Sequence, residues 1–246
     1  MSLRVIPIPQ HVYPAQAKVE TSSDRQLMRE LEDWGKISGI PLHTQIRVAT
    51  DISEAVLETI ATEHIDLLLM GWKGHSGVGG TIFGNVVDSL IRQAPCDLML
   101  IKLGAAPHSF PRQLRLRHKW LIPTTGGDRI NKLLTILPAL AQLSQIPPKI
   151  QLCQVSPHDQ QNFTQDFQQA VALLRNTLSY PIIPLFVCES SVSKAIIELT
   201  QRKKYGLVIL GASNEGLLQN VVKGNIPEAI ARHANSTVII FRLSAK

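Results

Sequence analysis

Cysteine is scarce in this chain: three in 246 residues, Cys96, Cys153 and Cys188, with no C-x-x-C pair among them. That usage argues against a disulfide frame or a thiolate zinc site and points to a reducing compartment, the cytoplasm. No stretch approaches the roughly 18 consecutive apolar residues of a membrane span. No basic–apolar–small signal segment opens the chain either. The eight histidines are scattered, without H-E-x-x-H and without a Ser-His-Asp context, and read as surface or core residues. A Walker loop is missing as well, because Lys73 lies in a glycine loop but outside G-x4-G-K-[S/T]. The usual catalytic constellations are therefore absent, and the reading is of a non-enzyme.

With 44% hydrophobic and 18% charged residues the composition is that of a globular chain. Its length suits two domains of about 100–150 residues. The net charge of +6 raises nucleic acid as a partner, but the basic residues are dispersed. Their one concentration, Arg112, Arg115, Arg117, His118 and Lys119, is short and lacks interleaved aromatics. It reads as a solvated linker, with no nucleic acid expected.

What the chain does have is a loop written twice. Gly71-x-x-Gly74-x9-Gly84-Asn85 returns as Gly211-x-x-Asn214-x9-Gly224-Asn225, at one offset of 140 residues (211 − 71 and 224 − 84). Each copy follows an apolar run, Leu67 to Met70 or Leu207 to Leu210, and precedes a helical pattern and a last apolar run. A strand that opens through glycines into a helix start presents free N–H groups and the positive end of the helix dipole, a geometry suited to phosphate. Asn85 with Asp88, and Asn225 with Glu228, also have the spacing of helix caps. Trp72, beside the first loop, reads either as a partner contact or as a packed rim.

The second half alternates strand and helix. Strands are expected at 120–123, 150–155, 182–188, 207–210 and 237–243, and helices at 128–144, 160–178, 191–204 and 226–233. Pro184 places the third of these strands at a sheet edge. Short apolar strands between amphipathic helices imply a parallel sheet covered on both faces, with ligands at the carboxyl ends of the strands. The first half repeats this plan, but its strand at 3–8 corresponds to 150–155. Residues of about 118–147 therefore have no counterpart upstream, and the first copy lacks its opening strand and helix. In a doubly wound sheet that strand is central, so either the chain is a piece of a longer protein or another segment fills the slot.

These residues carry a resemblance. G-x-x-G-x9-G followed by a small polar residue, in a five-stranded α/β unit, resembles the universal stress protein family over nearly the whole chain. The resemblance implies two tandem, doubly wound, Rossmann-like α/β domains of the adenine-nucleotide alpha-hydrolase type, at 1–106 and 118–246 with a linker at 107–117. It implies ATP, with Mg²⁺, as the cofactor. The phosphate loop would then be Met70, Gly71, Gly74, Gly84, Asn85 and Val86, with a weaker counterpart in Gly211, Asn214, Gly224 and Asn225. Family ATP binders usually carry Ser or Thr where this chain has Asn85 and Asn225. They also carry an aspartate after the first strand, where the second copy has Thr125, which cannot accept two ribose hydroxyls as a carboxylate can. The second site reads as degenerate, and weak nucleotide binding is expected in the first.

The resemblance also implies that the last strands, 98–103 and 238–243, pair antiparallel across a pseudo-twofold interface, with a homodimer as a further expectation. Family domains are often appended to permeases, antiporters and chloride channels, so a regulatory domain on the cytosolic face of a transporter in the same polypeptide is the alternative to a free-standing stress-response module. A nucleotide hydrolase using Asp128 or Glu215 is the third reading.

Overall fold

Apolar β-branched runs and leucine-rich helices alternate along the chain, and the two periodicities become nine strands and seven helices among the described residues. The computed structural model of the chain describes residues 1–12, 19–73, 81–104, 118–127, 129–142, 144, 146–157, 162–212, 217 and 225–244. The strands form two sheets, and the chain divides into two compact units, 1–66 with 93–95, and 67–92 with 96–246.

The first unit holds β1 (Ser2–Pro7), α1 (Ser22–Ser38), β2 (Thr44–Ala49) and α2 (Ile52–Thr62). β1 and β2 pair in parallel from Ser2 opposite Thr44 to Pro7 opposite Ala49, and form a two-stranded sheet among the described residues. α1 ends on Gly39 in the left-handed conformation (φ 68°), with the Ile40 N–H returning to the Gly35 carbonyl. Asp51 caps α2 by accepting from the N–H groups of Ser53 (2.6 Å) and Glu54 (3.0 Å). The apolar side chains of Trp34 and Ile37 on α1 stay exposed.

The second unit holds β3 (Leu67–Gly71), α3 (Asn85–Gln93, but for its last residue) and β4 (Asp97–Lys102), then β5 (Lys119–Pro123), α4 (Arg129–Ala141) and β6 (Lys149–Ser156). It continues with α5 (Gln165–Thr177), β7 (Ile182–Cys188), α6 (Val192–Arg202), β8 (Leu207–Ala212), α7 (Ile226–His233) and β9 (Thr237–Arg242). Its seven strands lie in the order β3-β4-β9-β8-β5-β6-β7. All neighbours are parallel except β4 and β9. The expected helix at 160–178 begins later, at Gln165, where Thr164 accepts from the Phe167 N–H as its cap. Pro184 sits on β7, an outer strand, as a residue without an N–H requires.

Read within the repeat, β5 to β9 have the order 3-2-1-4-5 of a doubly wound layer, with β5 central. The first repeat supplies β1, β2, β3 and β4 but no counterpart of β5. Its strands accordingly fall into two pairs, β1 with β2 and β3 with β4, parted at the position β5 holds in the second repeat. The repeat in the sequence and the compact unit in space are thus different divisions. The expected linker, 107–117, lies outside the described residues.

The core of the second unit is built around Trp120, Phe167, Leu137, Ile150, Leu152 and Leu207, each fully buried. Each such side chain contributes about 1.5–3 kcal/mol relative to exposure. The antiparallel seam, Leu98 opposite Arg242 to Lys102 opposite Val238, joins the two last strands as expected. One pair of its latches is reciprocal at the 140-residue offset. The Gly104 N–H donates to Thr237 Oγ1 (3.1 Å), and the Ser244 N–H donates to Asp97 Oδ1 (2.9 Å). Lys102 Nζ reaches the Ala234 carbonyl (2.5 Å), and Arg242 Nη2 the Cys96 carbonyl (2.8 Å). Burial lowers the pKa of both basic side chains.

Candidate functional site

β5 and β8 are adjacent in the sheet, yet their chains leave it toward helices on opposite faces. That crossover opens a crevice beyond their carboxyl ends, the place where doubly wound sheets bind ligands. A cavity of about 590 Å³ occupies it. From one sheet face come Ile122, Ile209 and Phe241 with Ile130 and Leu133 of α4. From the other come Cys153 and Leu210 with Val192 and Ile230. The rim is the turn Thr124–Gly127, Gly211 near the end of β8, and Ile226 and Pro227 at the start of α7.

The turn after β5 is held from within. The Thr124 N–H donates to the Cys153 carbonyl (2.9 Å), and the Gly126 N–H to Thr124 Oγ1 (3.0 Å). Gly126 (φ 95°) and Gly127 (φ 80°) are left-handed. A Cβ on Gly126 would lie 2.5 Å from the Asp166 carbonyl oxygen, so only glycine lets this turn rest against α5. The result leaves Thr125 exposed at the rim.

Charge in the cavity is compensated. Lys132, its cation among the described residues, pairs with Asp97 (3.0 Å). Burial pushes the Asp97 carboxyl up, but the Ser244 N–H and Lys132 outweigh it and hold it below the usual carboxylate range. Cys153 is buried, and desolvation pushes its thiol up to about 12, which removes it as a thiolate nucleophile. Among the described residues no cluster of three His, Cys, Asp or Glu could hold a metal.

Of the expected site residues, Thr125 and Gly211 line this cavity. Asn225 is buried beside it as the cap of α7. Its Oδ1 accepts from the Glu228 N–H (2.9 Å), and its Nδ2 donates to the Leu217 carbonyl. Asn214, Gly224 and Gly74 lie outside the described residues. In the first copy, Met70 and Gly71 end β3, and a Cβ on Gly71 would meet nothing within 4 Å. Gly84 (φ 112°) turns the chain into α3, where Asn85 is exposed and Val86 half-buried. Asp88 is buried and accepts from the N–H groups of Ile82 (2.8 Å) and Phe83 (2.9 Å), bracing the turn. Trp72 is a packed rim, buried edge-on against Phe83 at 5.1 Å.

The apolar wall of the cavity was not legible as a site. Ile130, Leu133, Ile209 and Phe241 fall within expected strands and helices with nothing in the sequence to set them apart. The signal that could have found them is position alone: they lie toward the carboxyl ends of strands or in the first turns of a helix, beside the crossover.

Comparison with known proteins bears on the family and the fold. The model of the universal stress protein family matches residues 3–102 and 134–242. A Na⁺/H⁺ antiporter of Synechocystis, NhaS5, is 25% identical over 205 residues, 82% of this chain and 28% of the antiporter. A universal stress protein of Thermus aquaticus is 27% identical over 86 residues, 32% of this chain and 63% of that protein. The chain thus spans less than two thirds of either relative. Among solved structures, a universal stress protein of Archaeoglobus fulgidus superposes with a TM-score of 0.59 at 12% identity, over 99% of this chain and 87% of that one.

Proposed function

The chain belongs to the universal stress protein family, and from that premise we propose that it is a non-catalytic regulatory module that takes an adenine nucleotide or nucleoside in the cavity of its second repeat. One observation carries the reading: the 590 Å³ cavity lies at the carboxyl ends of β5 and β8, where the strand order reverses. Its apolar walls suit a base, while Thr124, Thr125 and the backbone of Gly126 and Gly127 offer polar partners at the rim. The first repeat keeps Gly71, Gly74 and Gly84, and its loop serves as a weaker phosphate contact. Isothermal titration of the 246-residue chain with adenosine, AMP and ATP, each with and without Mg²⁺, tests this. Heat that disappears in Ile226→Trp, which fills the cavity from a partly exposed position, supports the reading. A flat titration at millimolar ligand removes it. Sustained phosphate release from ATP would instead favour an enzyme.

A second reading is favoured by the alignment of 82% of the chain with part of an antiporter. In it the module is the cytosolic regulatory domain of a cation/proton exchanger. Na⁺/H⁺ exchange measured in vesicles with and without the added chain tests it, and an unchanged rate counts against it.

A further inference from the structure

β3 has the sequence of an interior strand and the position of an edge. Leu67-Leu68-Leu69-Met70 is a continuous apolar run, the pattern of a parallel strand covered on both faces. Yet among the described residues β3 ends the seven-stranded sheet and pairs only with β4, leaving Leu67 39% and Leu69 58% exposed. Edges of natural sheets are blunted by proline, charge or a bulge. The opposite edge, β7, carries Pro184, whereas Leu67–Gly71 has neither proline nor charge.

The same chain shows what covers such a strand. β8 lies 140 residues on from β3, and its residues Leu207, Val208, Ile209 and Leu210 are all buried. It is flanked by β9 on one side and by β5 on the other, in parallel, with Trp120 opposite Leu207 and Leu121 opposite Val208. β5 runs on into α4, whose Ile130 and Leu137 pack into the same core as Ile209. The β5–β8 interface is therefore a template already present in the molecule, and β3 presents the β8 half of it. No described strand supplies the other half. A second copy of this chain docking β3 against β3 would give a symmetric, antiparallel pair, contrary to the parallel template.

We propose that the open edge of β3 receives a parallel, apolar β-strand followed by a helix, supplied from outside residues 1–246. The strand hydrogen-bonds to the outward backbone groups of β3, and the helix covers Leu67 and Leu69, a form of β-augmentation. The occupant is recognised by its pattern: about five apolar residues of the Trp120–Pro123 kind, a turn, and an amphipathic helix.

Hydrogen exchange on the 246-residue chain tests this, with a synthetic peptide of its own residues 118–142 as the probe. In the chain alone, amides of β3 are expected to exchange at least about a hundredfold faster than those of β8. Saturating peptide slows β3 exchange by about tenfold or more and leaves β8 unchanged, whereas the peptide carrying Leu121→Pro does nothing. Leu69→Lys in the protein abolishes the protection while β8 exchange stays as before, which separates a lost docking edge from a lost fold. β3 amides protected to the level of β8 in the chain alone would overturn the proposal, as would a peptide without effect. Protection that grows with protein concentration, together with a dimer in sedimentation, would also overturn it, because the occupant would then be a second copy.

Discussion

Leu69 and Ile209 are the same position in two repeats, and truncating each to alanine measures the consequence of the missing strand. Ile209 is 1% exposed and lies in the core with Trp120, Ile122 and Phe241. Ile209→Ala removes buried carbon and leaves a cavity, which costs about 3 kcal/mol. Leu69 is 58% exposed, so less than half of its side chain has left water. Its truncation costs about 1 kcal/mol or less. Both strands belong to one compact unit, so one unfolding transition reports both. The assay is urea denaturation followed by the emission of buried Trp120, in a background where Trp34 and Trp72 are phenylalanine. With a slope of about 2–3 kcal/mol per molar urea, the midpoint falls by about 1 M or more for Ile209→Ala and by about 0.4 M or less for Leu69→Ala. Equal shifts would refute the reasoning, since Leu69 would then be covered in solution.

Four further outcomes follow from the geometry. Gly126→Ala should lower stability by about 2 kcal/mol or more, because its Cβ meets the Asp166 backbone at a left-handed φ, whereas Gly127→Ala pays only for its φ, about 1 kcal/mol; thermal melts compare them. Asp97 has its pKa lowered in the fold, so its stabilisation is present above its unfolded value near pH 4 and is lost as pH falls through the lower folded value. Asp97→Asn should therefore flatten the acid limb of the stability profile measured between about pH 5 and pH 2. Iodoacetamide at pH 8 should modify exposed Cys188 and spare buried Cys153, whose thiol sits at about 12, as read by peptide mass. Thr125→Asp should raise affinity for adenosine about tenfold in titration by giving the ribose a carboxylate, and no gain would move the sugar elsewhere.

Much of the fold was legible because its causes are local. The 140-residue repeat, the alternation of apolar runs with amphipathic helices and Pro184 at an edge rest on periodicity or on residue chemistry, while the antiparallel last strands were implied by the family resemblance. The absent first strand was legible too, as a stretch with no counterpart. The candidate site was less so. Glycine loops are visible because glycine marks backbone conformation, and Gly84 does adopt a left-handed φ. A cavity wall is made of residues that look like any core leucine or isoleucine. Whether Ile130 and Leu133 face another side chain or open space depends on how far α4 stands from β5 and β8, and no residue encodes that distance alone.

By itself, then, the sequence determined the family, the duplicated α/β plan and the gap in its first copy. Only the tertiary structure decided what the gap does. Without a counterpart of β5, the strands of the first repeat part into two sheets, because a central strand is what bonds both halves of a doubly wound layer. β3 and β4 stay with the second repeat because β4 pairs with β9, and that pairing leaves the apolar edge of β3 open. The cavity, likewise, exists where β5 and β8 diverge, a consequence of strand order rather than of any loop residue.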